Sequence, residues 1–209
     1  ELKLQFQQYC EPQAQSEQLY QNAIANDEIT ISTWRDQWIV QAEENEKEYD
    51  CGANSVMSEH NKFKNTPGII AGTGPSLKKN ALELKTRGEK MSLVSCCHNF
   101  GYFVDNDIHP EYYMQLDAGH ICIDELSQGG KKSKDYYWDA TKDYTLCASI
   151  VVQPSFINKW KGKILWYNTV IPDVELFKQM KEISNNNVYF QTGGNALGTC
   201  YYMSRGILG

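Results

Sequence analysis

The segment Ile69-Ile70-Ala71-Gly72-Thr73-Gly74-Pro75-Ser76-Leu77 constrains this chain more than any other. A short apolar run enters a glycine turn and leaves it at a proline, which reads as buried strand, tight turn, helix. Gly72 permits the turn. Gly74 removes the Cβ that would hold a phosphate away from the backbone. Pro75 suits the first position of a helix, where a missing N–H costs nothing. The N–H groups of that first helical turn would then face a bound anion. The segment is not a Walker loop, because no Gly-Lys-Ser/Thr closes it. Nor is it a Gly-x-Gly-x-x-Gly fingerprint, because Leu77 occupies the place of the third glycine. By spacing alone it is either a phosphate cradle or a structural strand–helix turn.

From Pro67 onward, short apolar runs alternate with amphipathic stretches. Strands are expected at 68–71, 91–97, 112–116, 145–151, 164–167 and 188–191. Helices are expected at 76–87, 101–106, 154–160, 174–183 and 195–207. Such alternation predicts an α/β fold, a mainly parallel sheet with helices on both faces. The basic run Lys131-Lys132-Ser133-Lys134 reads as a solvated, mobile loop.

A second strand–turn–helix signal follows at Thr192-Gly193-Gly194-Asn195-Ala196-Leu197-Gly198. Two glycine turns at the carboxyl ends of strands in one sheet can flank one crevice. Gly198 is alternatively a helix–sheet packing glycine. Two further strand ends carry reactive groups. Ser95-Cys96-Cys97-His98-Asn99-Phe100 leaves the second strand, and Asp117 lies just past the third. Asp117 suits Mg²⁺, a ribose hydroxyl, a substrate proton or a turn cap. His98 is either a contact to a nucleobase or a hydrogen-bonded loop residue. His60, His109 and His120 lack metal-ligand spacing, and no Gly-x-Ser-x-Gly elbow occurs.

Residues 1–62 read as a helical accessory arm, with 63–209 as the main domain. In the arm Ile31, Trp34, Trp38 and Ala42 recur at helical spacing, with Ser32 or Thr33 as the cap. Trp34 and Trp38 are expected to bury one helix face against the α/β domain or a protein partner. The run 43–48 is expected to be a solvated face. Twelve acids against four bases make the arm acidic, while residues 63–209 carry 14 acids and 16 bases. No broad basic face exists for nucleic acid. No apolar run approaches the ~18 residues of a membrane span. Seven cysteines, with Cys96 and Cys97 adjacent and no Cys-x-x-Cys, predict buried free thiols in a reducing compartment. The chain opens on Glu1 and stops at Gly209 after Ile-Leu, and so reads as a fragment truncated at its C-terminal end.

Gly72-Thr73-Gly74-Pro75-Ser76-Leu77, Ser95-Cys96-Cys97-His98-Asn99-Phe100 and Pro110-Glu111-Tyr112-Tyr113 with Asp117 together resemble the 6-hydroxymethylpterin diphosphokinase MptE-like family. That domain also occurs in motility-associated glycosyltransferase proteins and phage-encoded proteins. It is similar in turn to small bacterial sialyltransferases that use CMP-sialic acid, with their Gly-Asn-Gly-Pro-Ser-Leu, Cys-Asn-Gln-Phe and Thr-Ser-Gly segments. The resemblance covers about residues 66–209. Thr73 replaces the sialyltransferase asparagine, and His98-Asn99 replace its Asn-Gln, which points away from CMP-sialic acid itself. The sialyltransferase-like catalytic histidine would lie beyond Gly209.

The resemblance implies a Rossmann-like sheet whose glycine turns serve a nucleotide, either ATP or a nucleotide sugar, with Mg²⁺ as a candidate companion. Gly72, Thr73, Gly74, Pro75, Ser76, Asn99, Gly193, Gly194 and Asn195 are then the candidate nucleotide contacts. Asp117 and His98 are the candidate catalytic groups, and Asp117 is the candidate metal ligand. The expected function is a nucleotide-dependent transferase of the cytoplasm, moving diphosphate or a sugar. The competing expectation is a non-catalytic interaction module, such as a component of a phage particle.

Overall fold

The structure, a computed structural model, describes residues 12–88, 90–191 and 195–209. The chain divides into two compact units, residues 1–36 and 37–209. Helix α1 (Pro12–Tyr49) supplies the described part of the first and opens the second. Ser32 and Thr33 are therefore not caps. They lie inside α1, and both hydroxyls donate back to the Ile29 carbonyl, the bond such residues make mid-helix. Trp34 and Trp38 are half-buried. The stretch 43–48 is not wholly solvated either: Asn45 is buried, and its amide donates to the Ile150 and Val152 carbonyls, both at 2.8 Å.

Six strands make one sheet: β1 (Gly68–Ala71), β2 (Ser92–Cys96), β3 (Tyr112–Gln115), β4 (Leu146–Ser149), β5 (Ile164–Thr169) and β6 (Tyr189–Phe190). They pair in sequence order, and every pairing is parallel. β2, β3 and β4 are buried at every residue, as parallel strands covered on both faces require. Because right-handed crossovers that always step the same way stay on one side, the connecting helices share a face. These are α2 (Leu77–Asn80), α3 (Phe100–Asp105), α4 (Cys122–Glu125), α5 (Lys134–Ala140), α6 (Pro154–Ile157) and α7 (Val174–Ile183). On this face Tyr113 of β3 meets Phe100 and Trp160, and Trp138 meets Phe156. The opposite face carries Val94, Cys96, Met114, Cys147, Leu165 and Tyr167. It is covered by Val56, by Cys200 of α8 (Ala196–Tyr201) and by Met203, Ile207 and Leu208 of a following π-helical turn, Tyr202–Leu208. Each such large apolar side chain contributes about 1.5–3 kcal/mol on burial.

Two short helices, α4 and α5, fall where sequence periodicity gave no signal. The run 131–134 is exposed, as expected, and is tied at three points: Ser133 caps α5 by accepting from Tyr136 N, Lys132 N donates to Tyr137 Oη, and Lys134 pairs with Asp124 at 2.6 Å. β5 is paired on one side by β4. On its other side, residue 55 serves its first half and β6 its second. Asn186 fills the junction. Its amide donates to the Cys51 and Trp166 carbonyls while its Oδ1 accepts from Val188 N.

Candidate functional site

The carboxyl ends of β1, β2 and β3 bring the first glycine turn, His98, Asn99 and Asp117 to one edge of the sheet. The turn is fastened from below. Asn99, in a short 3₁₀ turn after β2, donates its amide to Ala71 O at 3.2 Å, Gly72 O at 3.1 Å and Ser95 Oγ at 3.1 Å. Beyond that anchor, Thr73, Gly74, Pro75 and Ser76 are all exposed.

The two glycines differ in why they are glycine. Neither has a positive φ, so the turn's backbone does not demand the residue type. At Gly72 a Cβ would stand 3.2 Å from Leu197 Cδ1 of α8, a tight contact from which the half-exposed leucine would have to shift by a few tenths of an ångström. At Gly74 a Cβ would meet only Ser76 Oγ, at 3.8 Å. Among the described residues no other atom comes within 4 Å of that position.

The helix after the turn differs from expectation. α2 spans four residues and passes into a 3₁₀ segment, Ala81–Thr86. Pro75 therefore lies before the helix rather than at its first position. Leu77 N bonds back to Gly74 O at 3.0 Å instead of pointing outward. The cause is packing. Lys78, Lys79 and Asn80 are exposed, so little tertiary contact supports a longer α-helix, and so short a helix has little macrodipole.

Asp117 is exposed, and its Oδ1 accepts from Gly119 N at 2.8 Å. It therefore caps its own turn while presenting a carboxylate to solvent. Gln115 Oε1 accepts from Leu116 N and Asp117 N and fixes the start of the same loop. His98 has a partner that its sequence surroundings do not show: its Nε2 stands 3.0 Å from Glu125 Oε1, on α4. The other oxygen, Glu125 Oε2, is buried without a hydrogen-bond partner. Glu125 was invisible to motif reading because it lies 27 positions from His98 on a helix too short to show a period. Asn195 is the N-cap of α8, its Oδ1 accepting from Gly198 N at 2.7 Å. The candidate contacts Gly193 and Gly194 lie outside the described residues.

The six described cysteines are free and buried. Burial pushes Cys97 and Cys147 well above the usual thiol range and Cys122 up to about 12. Cys96 Sγ and Cys200 Sγ lie 3.6 Å apart. That contact holds the Cys96 pKa below the usual thiol value and raises that of Cys200. Among the described residues no three His, Cys, Asp or Glu side chains gather into a metal cluster. No described helix is long and apolar enough to cross a membrane.

A fully parallel sheet, with its accessible polar groups on the loops at the strands' carboxyl ends, defines a Rossmann-like α/β domain. Within that class the chain belongs to the 6-hydroxymethylpterin diphosphokinase MptE-like family, whose model matches residues 43–205. Among solved structures it is similar to the MAf glycosyltransferase from Magnetospirillum magneticum AMB-1. That match has 14% identity and a TM-score of 0.54, and covers 81% of this chain and 25% of that one. The chain thus spans about a quarter of the length of that structural relative. No curated protein matches it.

Proposed function

We propose that this chain is the nucleotide-binding portion of a transferase that moves either diphosphate from ATP or a sugar from a nucleotide sugar. The observation that carries the reading is Gly74. It is exposed, has no conformational need to be glycine and, among the described residues, no neighbour that forbids a side chain, yet it sits on a turn whose start, Ala71 O and Gly72 O, is fastened by one asparagine amide. A glycine under those conditions fits close approach of a ligand, and phosphate oxygens are the groups that backbone of this kind takes. Family membership and the glycosyltransferase fold of the neighbour agree with either donor.

In diphosphate transfer, the acceptor hydroxyl oxygen forms a bond to the β-phosphorus of ATP. The bond from that phosphorus to the α–β bridging oxygen breaks, and AMP leaves with the oxygen. In glycosyl transfer, the acceptor oxygen bonds the anomeric carbon and the nucleoside phosphate leaves with its own oxygen. Both routes release one proton from the acceptor. His98 is the group proposed to take it, with Glu125 holding Nε2 and leaving Nδ1 as the acceptor. An exposed single carboxylate such as Asp117 fits Mg²⁺, which binds through one or two carboxylates together with substrate phosphates and water. Mg²⁺ bound there would neutralise phosphate charge.

The test is thermal unfolding with ATP and with nucleotide sugars, each with and without Mg²⁺. A ligand at 100 times its Kd adds about 2.7 kcal/mol. Gly74→Val should abolish that gain and leave the unliganded melting temperature unchanged. A variant that is stabilised as fully as the wild type would make the turn purely structural.

A further inference from the structure

We infer that Gln41 is a positioning residue for Asp117, so that α1 sets the working geometry of the loop after β3. The inference rests on the reading of Asp117 as a site residue. Gln37, Gln41 and Asn45 recur every fourth residue and so share one face of α1. Gln37 Nε2 and Gln41 Nε2 both donate to the Ala118 carbonyl, each at 3.1 Å. The second hydrogen of the Gln41 amide goes to Gln153 Oε1, at the N-cap of α6. Asn45 then holds the Ile150 and Val152 carbonyls, in the connection after β4.

Counted from the loop's side, the acceptors are filled, while Gln115 Nε2 is buried without a partner. Gln115 Oε1 takes two N–H groups, Asp117 Oδ1 takes a third, and both lone pairs of Ala118 O are filled from α1. Side-chain amides thus do for this irregular loop what a ladder does for a strand, and a loop so fastened holds its carboxylate in one place. Gln41 is buried, while its Oε1 has no partner. A buried polar side chain with one end unsatisfied adds little to stability, which is the pattern of a residue kept for placement. Gln37 and Gln41 precede residue 43, where the family match begins, while Ala118 and Gln153, which they hold, lie inside it.

The test is amide hydrogen exchange on the full chain, wild type against Gln41→Met. Methionine keeps the volume and removes both the donor and the unpartnered oxygen. Exchange at Leu116, Asp117 and Gly119 should accelerate about tenfold, the worth of one lost hydrogen bond. Amides of Leu146 and Trp166, in β4 and β5, should not change. Gln37→Met, at an exposed position that cannot unfold the domain, should accelerate the same three amides by less. Unchanged exchange at those amides in both variants overturns the inference. A second measurement uses ATP as the probe. The part of its thermal stabilisation that requires Mg²⁺ should shrink in Gln41→Met and in Asp117→Asn, and the double variant should lose no more than Asp117→Asn alone. Fully additive losses would overturn the positioning role. Should ATP with Mg²⁺ not stabilise the wild type, the nucleotide reading fails and the exchange measurement still decides the role of Gln41.

Discussion

The two ends of the sheet are held by different chemistry. At the amino ends of the strands the ties are charged. Glu59 accepts from Lys62 at 2.7 Å, from Lys163 at 2.7 Å and from Tyr112 Oη at 2.6 Å. Glu111 accepts from Arg87 at 2.7 Å and from Leu93 N at 2.6 Å, clamping the start of β2. At the carboxyl ends the ties are neutral amides: Asn99 under the glycine turn, Gln115 and Gln41 around Asp117, Asn45 after β4. Apart from the His98–Glu125 pair and the turn that Asp117 caps, the charged ties thus lie at the edge opposite the candidate site. A neutral scaffold perturbs the field around a bound phosphate less than ion pairs would.

The sharpest way to break this contrast is acid. Burial alone would raise the Glu59 pKa, but hydrogen bonds from Lys163, Lys62 and Tyr112 outweigh it and bring it to about 2, from an ordinary value of 4.5. A lowered carboxylate pKa stabilises the fold fully above the unfolded value and loses that contribution as pH falls through the folded one. The window is therefore roughly pH 5 down to pH 2. Glu59→Gln should cost about 3 kcal/mol at pH 7 and flatten the acid limb of a denaturation series over that window. An unchanged acid limb would assign the pH dependence elsewhere.

Next in size is the neutral end. Asn99→Leu removes the amide's bonds to Ala71 O and Gly72 O and should cost about 2 kcal/mol, equally at pH 4 and pH 7 in urea unfolding. Ligand-induced stabilisation should fall with it, because the turn loses its anchor. Trp38→Ala comes third. Full burial of that indole would predict a larger loss, but it is half-buried, so about 1.5 kcal/mol is expected by the same measurement. The smallest effect on stability belongs to Gly74→Val, within about 0.5 kcal/mol, since its Cβ meets open space. A large destabilisation there would mean the turn is packed rather than open.

Much of the sheet was legible in the sequence, because parallel strands buried on both faces are short apolar runs, and 68–71 and 92–96 stand out as such. Helix 174–183 was legible to the residue: Asp173 caps it, and Leu176 and Met180 sit one turn apart facing the core. The family was legible from three short motifs. What stayed hidden were long-range amide contacts. Nothing in the order of residues marks Gln41 as bound to Ala118, or Glu125 to His98, since such pairs leave no period and no spacing rule. Helix α1 was legible only in part, for a related reason. Its Ile31, Trp34, Trp38 and Ala42 stripe is half-buried to buried, but the spacing gave no sign that Gln41 and Asn45 are buried beside it.

The unbroken strand order also governs how the chain is made. When each strand pairs only with those before and after it, the sheet can assemble one unit at a time as residues leave the ribosome, with contacts mostly local in sequence. One exception is the segment Ala196–Leu208, which lies against β1, β2 and β3, all of them at least 81 residues earlier. Until it arrives, Val94, Cys96, Met114 and Tyr167 present an apolar wall to water. Nascent chains caught at that stage are the ones for which holdase chaperones would compete with self-association, and release would follow synthesis of Ala196–Leu208.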